Sequence, residues 1–269
     1  MKLSSLLFAF LYFLCDADAQ QLPSAGLLIR PATINYQLGN GQTENAQIFI
    51  INNLQKSKQF SVYLSDWIRD SLGVHVYTPP GANPRSCASW ITIDKDFLEI
   101  APGQTAVLDV RLRIPDTPNA ATEMKWAMLF LETTEEQVVE TDNQVYTVVN
   151  NKVRVGIHLY QTPPQVIHKD VRIVGFNPPT WKSRRCRITC VNSGEVQLEC
   201  TSYIELSNLE TGVKTRIDAP LFPLFPDQRR LVEFELPMEL PPGKYSLVGV
   251  IDAGKDVPLE AVQQEINIE

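Results

Sequence analysis

Short runs in which apolar and polar residues alternate recur along the whole chain. Alternation with a period of two is typical of β-strands that bury one face. Segments rich in glycine, proline and asparagine separate the runs, and no long run has a helical period. The clearest alternating or apolar runs are residues 47–51, 60–64, 106–114, 126–132, 171–175, 202–206, 213–217, 231–236 and 245–251. Short strands at a spacing of about 8–12 residues predict an all-β chain of packed sheets.

A proline-rich segment divides this pattern into two parts. Thr162, Pro163 and Pro164 follow a strand-like run, and the alternation starts again after them. Prolines stiffen a short linker between domains. The sequence therefore predicts two immunoglobulin-like β-sandwich domains, residues 20–163 and 164–269.

The first residues have the pattern of an export signal. Lys2 precedes an apolar run over residues 6–14, which is too short to anchor the chain in a bilayer. Ala17 and Ala19 fit a cleavage site with small residues, so we expect a signal peptide over residues 1–19 and an exported mature chain. The alternative is a lipoprotein processed at Cys15, although Leu14 stands where such processing expects a small residue.

Composition and motifs argue against catalysis. The formal net charge of −7 disfavours nucleic acid as the main partner. The three histidines, His75, His158 and His168, are scattered, and His158 is expected at the surface. The sequence has neither a nucleophile elbow nor a phosphate-binding glycine loop. We expect no enzyme activity and no cofactor.

The cysteines allow three interpretations. Residues 192–194 form a turn signal, which predicts a hairpin in which Cys186 faces Cys200. A disulfide bond between these two cysteines is the favoured interpretation. The alternatives are buried thiols and a metal site, for which no fourth ligand lies in sequence reach.

Residues 66–89 are too long for a simple strand connection. They contain many glycine, proline and asparagine residues around a strand-like piece at 74–77, which predicts an extended loop or an extra hairpin. The segment is either a binding loop or a decorated connection in which Trp67 and Trp90 fill the core.

The last alternating run before the prolines is the main candidate for binding. Val153, Val155, Ile157 and Leu159 alternate with polar residues or glycine, and a tight turn at 150–151 is expected to join the run to residues 145–149. The strand either completes the sheet of its own domain or offers an edge to the strand of a partner.

The order of several segments resembles that of the PapD-like periplasmic chaperones, exported two-domain proteins of bacterial envelopes. The segments "RPATINYQL", "FSVYLSDW", "LEIAPGQTAVLDVRLRIP" and "VGIHLYQTPP" carry the resemblance, together with the proline-rich link. The resemblance implies a periplasmic protein that binds envelope, pilus-like or secretion-system subunits through the cleft and last strand of its first domain. An alternative is a structural accessory subunit of an outer-membrane or secretion complex.

The resemblance also implies a pair of basic residues in the binding cleft. In the family, an arginine and a lysine in the cleft anchor the terminal carboxylate of the bound subunit. The corresponding positions here fall at Ala32 and near Gly156. Arg30 and Arg154 lie close by in sequence and could rebuild such a clamp; the alternative is two exposed strand arginines.

Overall fold

The computed structural model describes residues 26–134, 152–180 and 183–268. Regular structure in these ranges is almost entirely β-strand, with one short 3-10 turn at Ala88–Trp90. Within them, no helix is long and apolar enough to cross a membrane. The predicted leader, Cys15 and the predicted hairpin turn at 150–151 lie outside the described residues.

Two sheets form the first β-sandwich. Its strands are β1 (Leu27–Arg30), β2 (Thr33–Tyr36), β3 (Thr43–Asn52), β4 (Lys58–Arg69), β5 (His75–Thr78), β6 (Ile91–Ile93), β7 (Phe97–Ile100), β8 (Thr105–Arg113), β9 (Lys125–Thr133) and β10 (Arg154–Gln161). One sheet has the order β1-β3-β8-β6, and the other has the order β2-β10-β9-β4-β5, with β7 also paired to β4.

The alternation found in the sequence explains the first core. Ile48 and Ile50 of β3 and Leu108 and Val110 of β8 point inward from one sheet, and Leu129 of β9 faces them from the other. All five side chains are fully buried. Burial of each such side chain contributes about 1.5–3 kcal/mol relative to exposure.

A second sandwich follows. Its strands are β11 (Val171–Asn177), β12 (Arg185–Asn192), β13 (Leu198–Asn208), β14 (Lys214–Asp218), β15 (Phe222–Leu224), β16 (Arg229–Glu235), β17 (Gly243–Asp252) and β18 (Glu260–Ile268). The sheet β11-β12-β16 packs on the sheet β14-β13-β17-β18, and β15 pairs with β13. The predicted all-β fold of two immunoglobulin-like sandwiches is confirmed, while the boundary between residues 163 and 164 stays a prediction.

The predicted cysteine hairpin is wrong. Strand β12 pairs with β11 and β16, whereas β13 pairs with β14, β15 and β17, so the two strands lie in opposite sheets. The predicted disulfide bond between Cys186 and Cys200 is also wrong, because neither cysteine is bonded to another. Cys87, Cys186, Cys190 and Cys200 are all free and buried. Burial raises the pKa of Cys186 to about 11, so its thiol stays protonated and packs as a small apolar group.

A buried asparagine explains why the chain changes sheet here. The Asn192 side chain is fully buried, donates to the carbonyl oxygens of Val196 and Leu224, both at 2.8 Å, and accepts a bond from the Gly194 amide. A β-carbon on Gly194 would lie 2.6 Å from the backbone nitrogen of Asp170. The turn residues that predicted a hairpin thus build an arch between two sheets.

The first sandwich has the same arch between β3 and β4. The Asn52 side chain is fully buried, donates to the carbonyl oxygens of Lys56 and Ile100, both at 2.8 Å, and accepts a bond from the Leu54 amide. A buried amide must have its hydrogen bonds satisfied. One side chain therefore fixes the crossing between sheets in each domain.

Candidate functional site at the edge of β10 and between the domains

Strand β10 is fully paired on one side only. Over Arg154–Gln161 it runs antiparallel to β9. On its other side β2 pairs with it in parallel, but only from His158 to Gln161. Among the described residues, no strand covers residues 154–157 on that side. We call this stretch the open edge.

The backbone groups that face the open edge follow from the alternation of the strand. The Thr133 amide of β9 donates to the Val153 carbonyl, and the Val153 amide donates to the Thr133 hydroxyl, so Val153 faces β9. The His158 amide donates to the Ala32 carbonyl on the opposite side. Because backbone groups alternate along a strand, the amides and carbonyls of Arg154 and Gly156 face the open edge.

The four apolar residues predicted to bind a partner occupy different environments. Ile157 and Leu159 are fully buried in the core of their own sandwich. Val155 is half-buried, and Val153 is 57% exposed. Of the four residues, only Val153 and Val155 therefore lie where a partner can reach their side chains.

The structure does not bring Arg30 and Arg154 together. The Arg30 guanidinium lies 5.9 Å from the ring centre of Phe49, on the outer face of the β1-β3-β8-β6 sheet. The Arg154 guanidinium lies 4.3 Å from the ring centre of Phe130 and 4.9 Å from that of Tyr77, over the outer face of the other sheet. The sandwich core separates the two faces, so these arginines do not form the predicted clamp.

The Arg154 side chain is held in place by its neighbours. A hydrogen bond with the Tyr63 hydroxyl raises the pKa of Arg154. The same hydroxyl donates to Glu132 Oε2 at 2.6 Å. The guanidinium thus covers the outer face of the sheet beside the open edge.

The inserted segment forms the predicted extra hairpin. The end of β4, from Asp66 to Arg69, pairs antiparallel with β5. The hairpin lies over the outer face of β9 and β10: the ring centres of His75 and His158 are 5.6 Å apart, and those of Tyr77 and Phe130 are 5.0 Å apart. The outer face of β10 is therefore covered by its own chain.

Aromatic residues from both sandwiches form a third buried cluster between the domains. Trp67 is 1% exposed, and its carbonyl accepts a 2.8 Å bond from the Trp126 indole. The ring centre of Phe225, from the second sandwich, lies 4.9 Å from that of Trp67 and 5.1 Å from that of Trp126. We call this contact the interdomain seam. Trp67 thus fills a core, as the non-binding interpretation of the inserted segment predicts.

Polar contacts complete the seam. Arg85 of the inserted segment forms ion pairs with Asp227 at 2.6 Å and Glu123 at 3.2 Å. The Leu231 amide at the edge of the second sandwich donates to the Ser71 carbonyl at 2.8 Å. The inserted segment therefore connects the first domain to the second.

Two histidines that the sequence places far apart meet beneath the hairpin. The Nε2 atoms of His75 and His158 are 3.5 Å apart. Burial, then the charges of Arg69 and His158, lower the pKa of His75 to about 4. Burial and Arg69 also lower the pKa of His158. The prediction that His158 is a surface residue did not anticipate this contact, because its partner belongs to a distant insertion.

The lowered histidine pKa values predict a loss of stability in acid. The folded chain holds these imidazoles neutral, so their contribution is complete above the unfolded pKa of about 6.5 and is lost as the pH falls toward the folded value. After allowance for solvent screening, we expect His75 to account for a loss of on the order of 1 kcal/mol at pH 5, or about 2–4 °C in Tm. Thermal melting of the His75→Gln variant should show a weaker pH dependence between pH 7 and 5. An identical dependence in both proteins would contradict the assignment.

No protein-family model and no curated protein matches this sequence. Solved structures do match. A chain of the CsuC-CsuE chaperone-tip adhesion subunit pre-assembly complex of Acinetobacter baumannii is 10% identical, with 89% of this chain and 98% of that chain covered and a TM-score of 0.48. The Pseudomonas aeruginosa CupB2 chaperone is 8% identical, with 90% and 100% covered and a TM-score of 0.43.

A third match is the E. coli chaperone DraB, which is 13% identical, with 91% of this chain and 96% of that chain covered and a TM-score of 0.42. In all three matches the similarity extends over most of both chains.

Proposed function

We propose that this chain is an exported, periplasmic chaperone or escort that receives a β-strand of an envelope subunit on the open edge of β10. The observation that carries the proposal is the partial cover of β10 by β2, which leaves the backbone groups of Arg154 and Gly156 directed away from β9. Strand addition uses such groups for affinity and alternate side chains for specificity.

The local packing suits a backbone contact. A β-carbon on Gly156 would lie 2.8 Å from Met128 Sδ and 3.1 Å from Phe130 Cε1, so the outer face has no room for a side chain there. Recognition at the open edge therefore depends on the backbone of residues 154–157 and on two accessible valines, Val155 within it and Val153 just before it. Exposed strand edges invite unwanted pairing, and a charged residue such as Arg154 limits it.

The size of the open edge limits its contribution to affinity. Two residues offer two amides and two carbonyls, and a hydrogen bond contributes about 0.5–1.5 kcal/mol net. Micromolar binding requires about 8 kcal/mol. A partner held at this edge must therefore also contact side chains beyond Arg154 and Gly156.

The test is a substitution that removes one donor from the open edge. In Arg154→Pro the lost amide faces away from β9, so the β9-β10 ladder keeps its bonds, as for other edge prolines. We expect about a tenfold or greater loss of co-isolated subunits, measured by quantitative mass spectrometry of the tagged protein taken from its envelope in mild detergent.

Arg154→Ala is the matched control, because it removes the guanidinium and keeps the amide. It should retain binding to within about threefold, since the amide rather than the charge carries the contact. Circular dichroism and Tm must show that both variants are folded. Equal binding by Arg154→Pro and the wild type would refute strand addition at this edge.

A structural accessory subunit is the second candidate function. The seam supports it, because the inserted segment fixes one domain on the other and exposes Leu72 and Val74 on its surface. Isolation of one complex at fixed stoichiometry, unaffected by Arg154→Pro, would favour this function. Several substoichiometric subunits that are lost in the variant would favour the chaperone.

A further inference from the structure

A set of unpaired hydrogen-bond donors lies at the interdomain seam. In the described part of the chain, the buried side-chain nitrogen and oxygen atoms without a hydrogen-bond partner are Trp67 Nε1, Arg69 Nε, Gln228 Nε2, Arg230 Nε and Arg230 Nη1. Every one of them is an N–H donor, and none is an acceptor. Leaving a donor buried and unpaired costs about 1–3 kcal/mol, and more when it is charged.

The two arginines meet at one glycine. Arg69 Nη1 donates to the Gly73 carbonyl at 2.8 Å. A β-carbon on Gly73 would lie 1.8 Å from Arg230 Nη1 and 2.6 Å from Arg230 Cζ, so that guanidinium lies directly against the same residue. Gly73 also has a φ of +84°, which favours glycine. The sequence thus allows two cations from different domains to approach each other closely.

The other two donors belong to the same region. Trp67 lies beneath Arg69, whose guanidinium carbon is 5.8 Å from the indole ring centre. The backbone N–H of Gln228 donates to the carbonyl of Phe225, whose ring packs on Trp67. We call Trp67, Arg69, Gln228 and Arg230 the donor cluster.

Within the described ranges, no acidic side chain forms an ion pair with the arginines of the donor cluster. Neither Arg69 nor Arg230 forms an ion pair there. The charge of Asp70 acts on Arg230, but Asp70 Oδ1 accepts bonds from the Leu72 and Val74 amides. Burial and the charge of Arg69 lower the pKa of Arg230. The Nε atoms of both arginines are therefore withdrawn from water without a hydrogen-bond partner, and the charge of Asp70 offsets the lowering of the Arg230 pKa only in part.

We propose that the donor cluster is a binding site for a small oxyanion, a carboxylate or phosphate group, that bridges Arg69 and Arg230 across the seam. Guanidinium groups bind such oxygens in a bidentate manner. Indole and amide N–H groups can complete the shell, and a site made only of donors selects an acceptor-rich ligand over a cation. The bound anion would attach the inserted hairpin to β16. This proposal does not depend on strand addition at β10.

Inorganic phosphate is the first probe, titrated into the full chain against chloride at matched ionic strength. We expect a saturable rise in Tm and a shift of the Nε–H signals of Arg69 and Arg230 in ¹H–¹⁵N spectra. Arg69→Gln and Arg230→Gln should each weaken the apparent affinity for phosphate about tenfold or more. Arg229→Gln is the matched control, because Arg229 is the exposed neighbour on the same strand and should leave the affinity unchanged.

Competition between acetate and phosphate distinguishes the two ligand classes, and two further outcomes would overturn the proposal. Acetate that competes equally with phosphate identifies a carboxylate site, whereas phosphate binding without acetate competition identifies a phosphate site. An equal phosphate effect in the wild type and Arg230→Gln would overturn the proposal. Unshifted Nε–H signals in the wild type would also overturn it, since the donors would then meet only water, and this readout requires no variant to fold.

Discussion

Ile157→Asp is expected to unfold the first domain, at a cost on the order of 4–5 kcal/mol or more. Ile157 is 0% exposed and packs between the two sheets, where a carboxylate would have no partner among the described residues. Urea denaturation followed by circular dichroism measures the change. Ile157→Val is the conservative control and should cost about 0.5–1.5 kcal/mol.

Val153→Asp is the comparison at an accessible position of the same alternating run. Val153 is 57% exposed and lies just before the open edge, so the change should alter stability by no more than about 0.5 kcal/mol. A folded Ile157→Asp protein with a wild-type urea midpoint would contradict the structure. Such a result would mean that the Ile157 side chain leaves the core and can face a partner.

Phe225→Ala is expected to weaken the coupling between the domains. Its ring is fully buried against Trp67 and Trp126. Its removal should therefore weaken the interaction between the two domains by about 3–5 kcal/mol. Because the seam joins two separate cores, thermal unfolding should separate into two transitions. Scanning calorimetry measures them, and a red shift of tryptophan fluorescence before the second transition would report exposure of the seam.

Phe225→Leu serves as the control, since it keeps most of the apolar volume and should retain one transition or a much smaller separation. A single transition at the wild-type temperature in Phe225→Ala would show that the two sandwiches are coupled by other contacts. The ion pairs of Arg85 with Asp227 and Glu123 would then be the next contacts to remove.

The strands could be predicted because their signal is local. The alternating run at 106–114 nearly coincides with β8, Thr105–Arg113, since a period of two shows directly which side chains face the core. The partner of each strand is not a local property. Residues 192–194 have the composition of a hairpin turn, yet the three bonds of the Asn192 side chain convert it into an arch.

The candidate site was only partly predictable for the same reason. The sequence singled out Arg154 and the strand that bears it, but nothing near Arg154 indicates that β2 covers only the second half of β10. The contacts of His75 with His158 and of Arg230 with Gly73 join segments far apart in the chain. Single-sequence patterns do not contain such contacts.

The bond between Ser71 and Leu231 has a consequence for how this molecule can evolve. It joins two backbones, so it places little demand on the side chain at either position. The tip of an insertion in one domain thereby helps to hold the other domain in position. A change in the length of that tip can alter the angle between the sandwiches while both cores keep their residues, so one short loop can diversify the shape of the whole molecule.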